Sequence, residues 1–345
     1  MKIVYRKTLK RIAWAAFSML VLSACSDWTD VESLDLEEPN IKDQNRELYA
    51  KYLQNLREYK NSDHKLVYVW FDNSQKVTFN RSHHLTDLPD SIDVVSIIHP
   101  DNLADWELQE INQIRSEKAM KIIYSIDFDA FKAAYNTKLE LATEEEPVSK
   151  DFIGFLTDSL EYSLSLVHKY NYDGICIGYA GKSRLHMRLN ELKEYTENEV
   201  SFINIIQDWH KRNPQKLITY EGKPQNLIDP SLLDDCLSIL VSGKEATNAN
   251  ELTYLLSLTS VEGISTDRFG MVVCATDLND PNKKIGYFAD GTLAMEGLTD
   301  WAIAPRGGIE VQAVGIYNVS TDYYTSPLSY YYTRQLILSI NPSVK

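Results

Sequence analysis

The residues that could do chemistry in this 345-residue chain are carboxylates and aromatics at the ends of apolar runs. Asp127, Glu221 and Asp277 each close such a run, as do Asp72, Trp70, Tyr220 and Tyr317. Two carboxylates about 5 Å apart, or about 6.5–9.5 Å apart, can cleave a glycosidic bond as nucleophile and acid or as base and acid. Aromatic faces stack on the C–H side of sugar rings, and carboxylates accept hydrogen bonds from paired hydroxyls. The residue types therefore point to a sugar ligand. With 21 tyrosines and 49 acids in the chain, some reach such positions by chance.

These residues need elements to hold them. Eight β-rich runs follow one another: 65–71, 92–99, 118–128, 172–179, 216–222, 237–243, 270–277 and 311–319. They are apolar almost throughout, which suits parallel strands covered on both faces. Helical patterns at 105–119, 151–170, 191–212, 250–261 and 329–340 separate or follow them. Phe152, Phe155, Leu156, Leu160, Leu164 and Val167, for example, recur at helical spacing. Strands alternating with helices predict an α/β fold, a single-domain (β/α)8 barrel over residues 46–345. The alternative is a doubly wound open sheet. It would want a phosphate loop, and the chain has neither Gly-x-Gly-x-x-Gly nor a Walker pattern. No cofactor is expected. In a barrel, the C-terminal strand ends carry the site.

The fourth run, "YDGICIGYA", is the most specific. It resembles the fourth strand of family-18 glycoside hydrolases, the chitinases and endo-β-N-acetylglucosaminidases, whose motif is Asp-Gly-x-Asp-x-Asp-x-Glu. Asp173 and Gly174 match its first two positions. Cys176, Gly178 and Ala180 stand where the family has Asp, Asp and Glu. In the family the Glu protonates the glycosidic oxygen, and the neighbouring Asp holds the substrate's 2-acetamido group as it attacks the anomeric carbon. Ala180 cannot donate a proton and Gly178 cannot orient an acetamide. The family's Ser-x-Gly-Gly on strand three is replaced by Ser125-Ile126-Asp127-Phe128, and its Met-x-Tyr-Asp is absent from "ILVSGKE". Loss of a general acid alone costs about 100- to 10,000-fold in rate.

The resemblance thus implies a hydrolase scaffold without its catalytic residues. The expected function is glycan binding without turnover, through Trp70, Asp72, Asp127, Tyr179, Tyr220, Glu221 and Tyr317. The ligand would be an oligosaccharide containing N-acetylglucosamine or mannose. One alternative is an active hydrolase with a relocated acid, Asp127, Glu221 or Asp277. Another is a structural partner of a glycan-uptake complex, for which the Tyr-rich stretch 321–335 could serve a contact.

The first residues set the compartment. Lys2, Arg6, Lys7, Lys10 and Arg11 precede the apolar run Ile12 to Leu22, which is too short to span a bilayer comfortably. "LSAC" then resembles a bacterial lipobox, with residues 1–24 removed and Cys25 lipidated. Removal leaves 30 basic against 49 acidic side chains, a net of −19. Nucleic-acid phosphates repel such a chain. Residues 25–45 read as an acidic tether. The stretch after Cys25 holds six acids and no base, similar to the export signal of Bacteroidetes surface lipoproteins. The expected location is the outer membrane, surface-exposed, with uptake proteins as possible partners. Cys176, Cys236 and Cys274 have no short spacing, so neither a disulfide framework nor a zinc site is expected. His83-His84 lack the i, i+4 geometry of a helical metal pair.

Overall fold

The computed structural model describes residues 44–143, 148–277, 279–305 and 308–342. The signal segment, Cys25 and most of the acidic tether lie outside the described residues. Two units are distinguished, Met1–Lys51 and Tyr52–Lys345. The described part of the first is residues 44–51, which open helix α1 (Arg46–Asn61).

The second unit is a closed barrel of eight parallel strands in sequential order. They are β1 (Leu66–Phe71), β2 (Val94–Ile97), β3 (Lys121–Asp127), β4 (Gly174–Tyr179), β5 (Leu217–Gly222), β6 (Ile239–Ser242), β7 (Phe269–Cys274) and β8 (Ala313–Tyr317). All eight predicted runs contain strands, mostly shorter than the runs, with β7 starting one residue earlier than predicted. Helices α2 (Asp105–Lys118), α3 (Phe128–Leu141), α4 (Phe152–Lys169), α5 (Leu189–Arg212), α6 (Ala249–Leu258), α7 (Ala294–Ile303) and α8 (Tyr331–Ile340) form the outer layer. Short 3-10 turns replace the helix after β1 and β5.

The strands read as continuous apolar runs because both faces are buried. Alternate residues point into the barrel, where Tyr68, Trp70, Val94, Ile123, Cys176, Leu240, Val272 and Ala313 pack together. The intervening residues meet the helices. Ile175, Ile177 and Tyr179 of β4 belong to that outer core, with Leu156, Leu160 and Val167 of α4 and Phe202 and Ile206 of α5. Fully burying one such side chain stabilises the fold by about 1.5–3 kcal/mol. Strand 4 therefore sends residues 176 and 178 inward and residues 177 and 179 outward.

Two aspartates lock the N-terminal ends of the strands. Asp93, before β2, accepts from the Val67 amide at 2.8 Å. Asp173, before β4, accepts from the Ile122 amide at 2.8 Å and from Arg115 Nε at 3.1 Å. Gly174 follows because strand 5 comes so close: a Cβ there would sit 2.0 Å from the Leu217 carbonyl oxygen. The retained half of the strand-4 motif is thus its structural half.

Candidate functional site at the barrel mouth

Gly178 sits between Asp127 of β3 and Glu221 of β5, in register with both. The two Cα atoms flank the glycine at one strand spacing each, about 4.8 Å. A Cβ on Gly178 would lie 2.5 Å from Asp127 Oδ2, so the Asp127 carboxylate fills the volume where a side chain at 178 would project. Its other oxygen caps α3 by accepting from the Ala130 amide at 2.8 Å. Ser125, one inward position deeper on β3, is exposed. Small residues on β3 and β4 thus leave a well that solvent enters. Trp70 floors it. Its indole Nε1 donates to Ser125 Oγ at 2.9 Å, and its ring lies against Gly315 of β8. The Cys176 thiol is fully buried beneath the well, and burial pushes it well above its ordinary value, so it stays protonated.

The opposite wall is charged. Lys244, two residues past β6, donates to Glu221 Oε2 at 3.2 Å and lies 4.8 Å from the centre of the Tyr317 ring. Burial pulls the Lys244 ammonium down. The Glu221 carboxylate outweighs it by charge and hydrogen bond, helped by Tyr317, and the group is held above its usual value. Glu221 Oε1 also lies 3.2 Å from Lys244 Nζ, but out of line for a hydrogen bond, and this buried oxygen has no donor. Glu221 is 8 % exposed. Tyr317, half-buried, stands 6.0 Å from Trp70, centroid to centroid. Burial raises its hydroxyl pKa.

The structure divides the expected ligand residues. Asp72, Asp127, Glu221 and Tyr317 line the mouth. Asp72 lies 3.5 Å from His99 at the rim. Trp70, 2 % exposed, offers no free ring face and serves as floor. Tyr179 and Tyr220 are corrected more fully. Tyr179 points outward, stacks on Phe202, and donates to Glu199 behind the strand. Tyr220 is completely buried and donates to the Tyr179 carbonyl at 2.6 Å. The Tyr220 ring is closed to a sugar, and Tyr179, 2 % exposed, borders the cavity beside the mouth and not the mouth itself. Asp277 lies in the loop past β7, where its carboxylate accepts from the Asn279 amide. Ala180 follows the strand, its carbonyl held by Asn226 Nδ2 at 2.9 Å. Lys244 was missed; only its place two residues past a strand marks it in the sequence.

Beside the mouth, a cavity of about 270 Å³ lies between α3 and α5, lined by Phe128, Asp129, Lys132, Tyr195 and Asn198. Burial, then the charge of Asp127, pushes the Asp129 carboxyl up. Another cavity, of about 550 Å³, lies at the opposite end of the barrel around His64 and Asn341, away from the strand ends that carry chemistry. His84 is held by Glu110 and by the Thr78 carbonyl.

What the mouth offers is three carboxylates, of Asp72, Asp127 and Glu221, with one ammonium, a serine hydroxyl and a tyrosine. Neither residue 178 nor residue 180 carries a group that could give up a proton. The set can accept hydrogen bonds from a polyhydroxyl ligand and present one aromatic edge to it.

Comparison with known proteins agrees with this fold. No curated protein matches the chain. Among solved structures, a glutamate-to-glutamine variant of BT1044 is 16 % identical, with TM-score 0.57, covering 87 % of this chain and 95 % of that one. The endo-β-N-acetylglucosaminidase of Cordyceps militaris is also 16 % identical, with TM-score 0.56, covering 85 % and 96 %. Catalytic domain 2 of the Ostrinia furnacalis Group II chitinase is 8 % identical, with TM-score 0.53, covering 82 % and 98 %. At these identities the likeness is one of fold. The model of glycoside hydrolase family 18, BT1044-like, matches residues 29–340, and the chain belongs to that family.

Proposed function

We propose that this protein binds a glycan at the barrel mouth and does not cleave it. The observation that carries the reading is at strand 4. The positions facing the ligand are Gly178 and Ala180, and the nearest carboxylates are committed elsewhere, Asp127 to the cap of α3 and Glu221 to Lys244. A general acid must reach the glycosidic oxygen with a proton to give. The ligand would be an oligosaccharide of the kind that family-18 barrels accept, one containing N-acetylglucosamine or mannose. The lipobox-like "LSAC" and the acidic stretch behind it support anchoring through Cys25 at the outer-membrane surface, beside uptake proteins.

One observation favours a second reading, an active hydrolase with a moved acid. Asp127 Oδ2 occupies the space over Gly178. One experiment separates the two. The purified full chain is titrated by calorimetry with high-mannose N-glycan, mannan and chitooligosaccharides, and the same tubes are read by mass spectrometry. Heat of binding with intact glycan is expected. Cleaved product lost on Asp127→Asn would establish the second reading, and no binding to any of the three would sink the first.

A further inference from the structure

We propose that the cavity between α3 and α5 is a subsite for the acetamido group of an N-acetylated sugar, held between Asn198 and Asp129. This rests on the glycan-binding reading above and adds the ligand's chemical class. The site is not the strand-4 position where the family holds that group. It lies behind strand 4, on the side of the outward-facing Tyr179. The observation that points to a ligand is Asn198. Its side chain lines the cavity at 8 % exposure and makes no hydrogen bond to any described residue. Its polar atoms are nonetheless open to the cavity, unlike the sealed Glu221 Oε1. A buried amide without partners is costly, and a ligand that meets it removes the cost.

From the other wall comes Asp129, in the first turn of α3. Its carboxyl has neither a hydrogen bond nor an ion pair among the described residues. The cavity thus sets an amide donor on α5 against a carboxylate acceptor on α3. A trans amide fits such a pair, because its C=O and N–H point in opposite directions. The carbonyl accepts from Asn198 Nδ2 and the N–H donates to Asp129. The methyl group needs an apolar wall, and the Phe128 ring and the Met187 side chain supply one. Phe128 is braced by the rings of Tyr179 and Phe202, each 5.3 Å away between centroids. Tyr195, one turn before Asn198, is fixed by the Lys182 amide, which donates to its hydroxyl at 2.9 Å. A hydroxyl in place of the acetamide leaves the apolar wall unused. At about 270 Å³ the cavity lies below the roughly 300–1,000 Å³ of sites that enclose a drug-sized ligand, so it takes one group of a longer glycan. Phe128 and Asp129 directly follow Asp127, so a glycan seated in the mouth has this cavity at its side.

The test is a calorimetric titration of the purified full chain with three probes of equal length: β1,4-linked N-acetylglucosamine, β1,4-linked glucose and mannose oligosaccharides. The first two differ only in the acetamide. The N-acetylated probe is expected to bind about tenfold or more tightly than its glucose twin, the scale of one or two hydrogen bonds. Asn198→Ala is the decisive variant. Asn198 bonds to nothing in the fold and alanine suits a helix, so the melting temperature should hold. The preference for the N-acetylated probe should vanish while the other two bind as before. Asn198→Asp, which keeps the size but loses the donor, should lose the preference too. Saturation-transfer NMR on the parent needs no variant, and the acetamide methyl protons should take the strongest signal. If the glucose twin binds as tightly, if the preference survives both variants, if Asn198→Ala weakens all probes by one factor, or if ring protons take the stronger signal, this proposal falls. The glycan-binding reading then stands on whichever probe binds. If none of the three binds, both fall.

Discussion

Asp127 Oδ2 lies where a side chain on Gly178 would have to go, 2.5 Å from the position of its Cβ. The two residues are register partners on adjacent strands, so neither can slide past the other. The carboxylate also cannot swing away without giving up the cap of α3. Gly178→Asp, the change that restores the family's third aspartate, is therefore expected to destabilise the fold by about 1–3 kcal/mol through overpacking, before any charge repulsion. Asp127→Ser keeps a capping oxygen and vacates the space. The pair Asp127→Ser with Gly178→Asp should then be more stable than the sum of the single changes allows, a coupling that denaturant titration measures. Simple additivity would show that the two side chains do not compete.

Glu221 and Lys244 form the ion pair of the well, at 3.2 Å, with the carboxylate side chain 10 % exposed and the ammonium 29 %. Removing one partner leaves a desolvated charge. Lys244→Met is expected to cost up to about 3–5 kcal/mol, the range for breaking a buried pair. Adding Glu221→Gln to it should recover much of that loss. The cycle is read by chemical denaturation, and a Lys244→Met protein as stable as the parent would show that water already solvates Glu221.

Much of this fold was legible in the sequence, because all eight strands are buried on both faces and so read as unbroken apolar runs. Helix α3 was not, and Asp127 is the reason. It ends β3 and caps α3 at once, so strand passes to helix with no turn residues between them. The choice among aromatics failed for a different reason. Tyr179 follows Gly178 and Tyr220 precedes Glu221, so each must face away from the side its neighbour faces. Once 178 and 221 are taken to face the ligand, the alternation alone sends both tyrosines outward. The Lys244 contact was out of reach, since it joins residues 23 apart between the ends of the neighbouring strands β5 and β6.

Asp173 survives from the motif together with Gly174, and its contacts are those of a clamp. It holds the first amide of the β3–β4 pairing and the Arg115 guanidinium, which also reaches the Asn171 carbonyl. Asp173→Asn should lower stability by about 1–3 kcal/mol, the cost of weakening charge-assisted bonds at a partly buried site. Glycan affinity of the folded variant should be unchanged. A loss of affinity with no loss of stability would return Asp173 to the ligand.

Tyr317 and Tyr179 make opposite predictions. Tyr317 is half-buried at the mouth beside Lys244, whereas the Tyr179 hydroxyl is engaged with Tyr195 at 2.9 Å and with Glu199 behind the strand. Tyr317→Ala should weaken glycan binding by about 2- to 10-fold, the scale of one aromatic contact, with little effect on stability. Tyr179→Phe should do the reverse: it strips hydrogen bonds from a buried network at about 1–3 kcal/mol and leaves affinity alone. Parallel calorimetry and thermal melts on the two variants decide, and equal effects on both readouts would remove the distinction between mouth and scaffold.

His64 gives the fold a pH dependence with a definite sign. Its Nε2 faces Asp93 at 3.0 Å and its Nδ1 faces the Ser62 carbonyl at 2.8 Å, so both ring nitrogens meet acceptors. That geometry favours the imidazolium. The hydrogen bond to Asp93 is the largest influence raising its pKa, against the opposing effect of burial. A folded value above the unfolded one, about 6.5, means the stabilisation is fully present below pH 6.5 and is lost as pH rises through the folded value. Stability of the parent should therefore fall between mildly acidic and mildly alkaline pH, and His64→Gln should flatten that fall. Denaturant midpoints across this window read it directly, and a parent and a His64→Gln variant with the same slope would mean that Lys60, 3.1 Å from the same carboxylate, satisfies Asp93 without the histidine's charge.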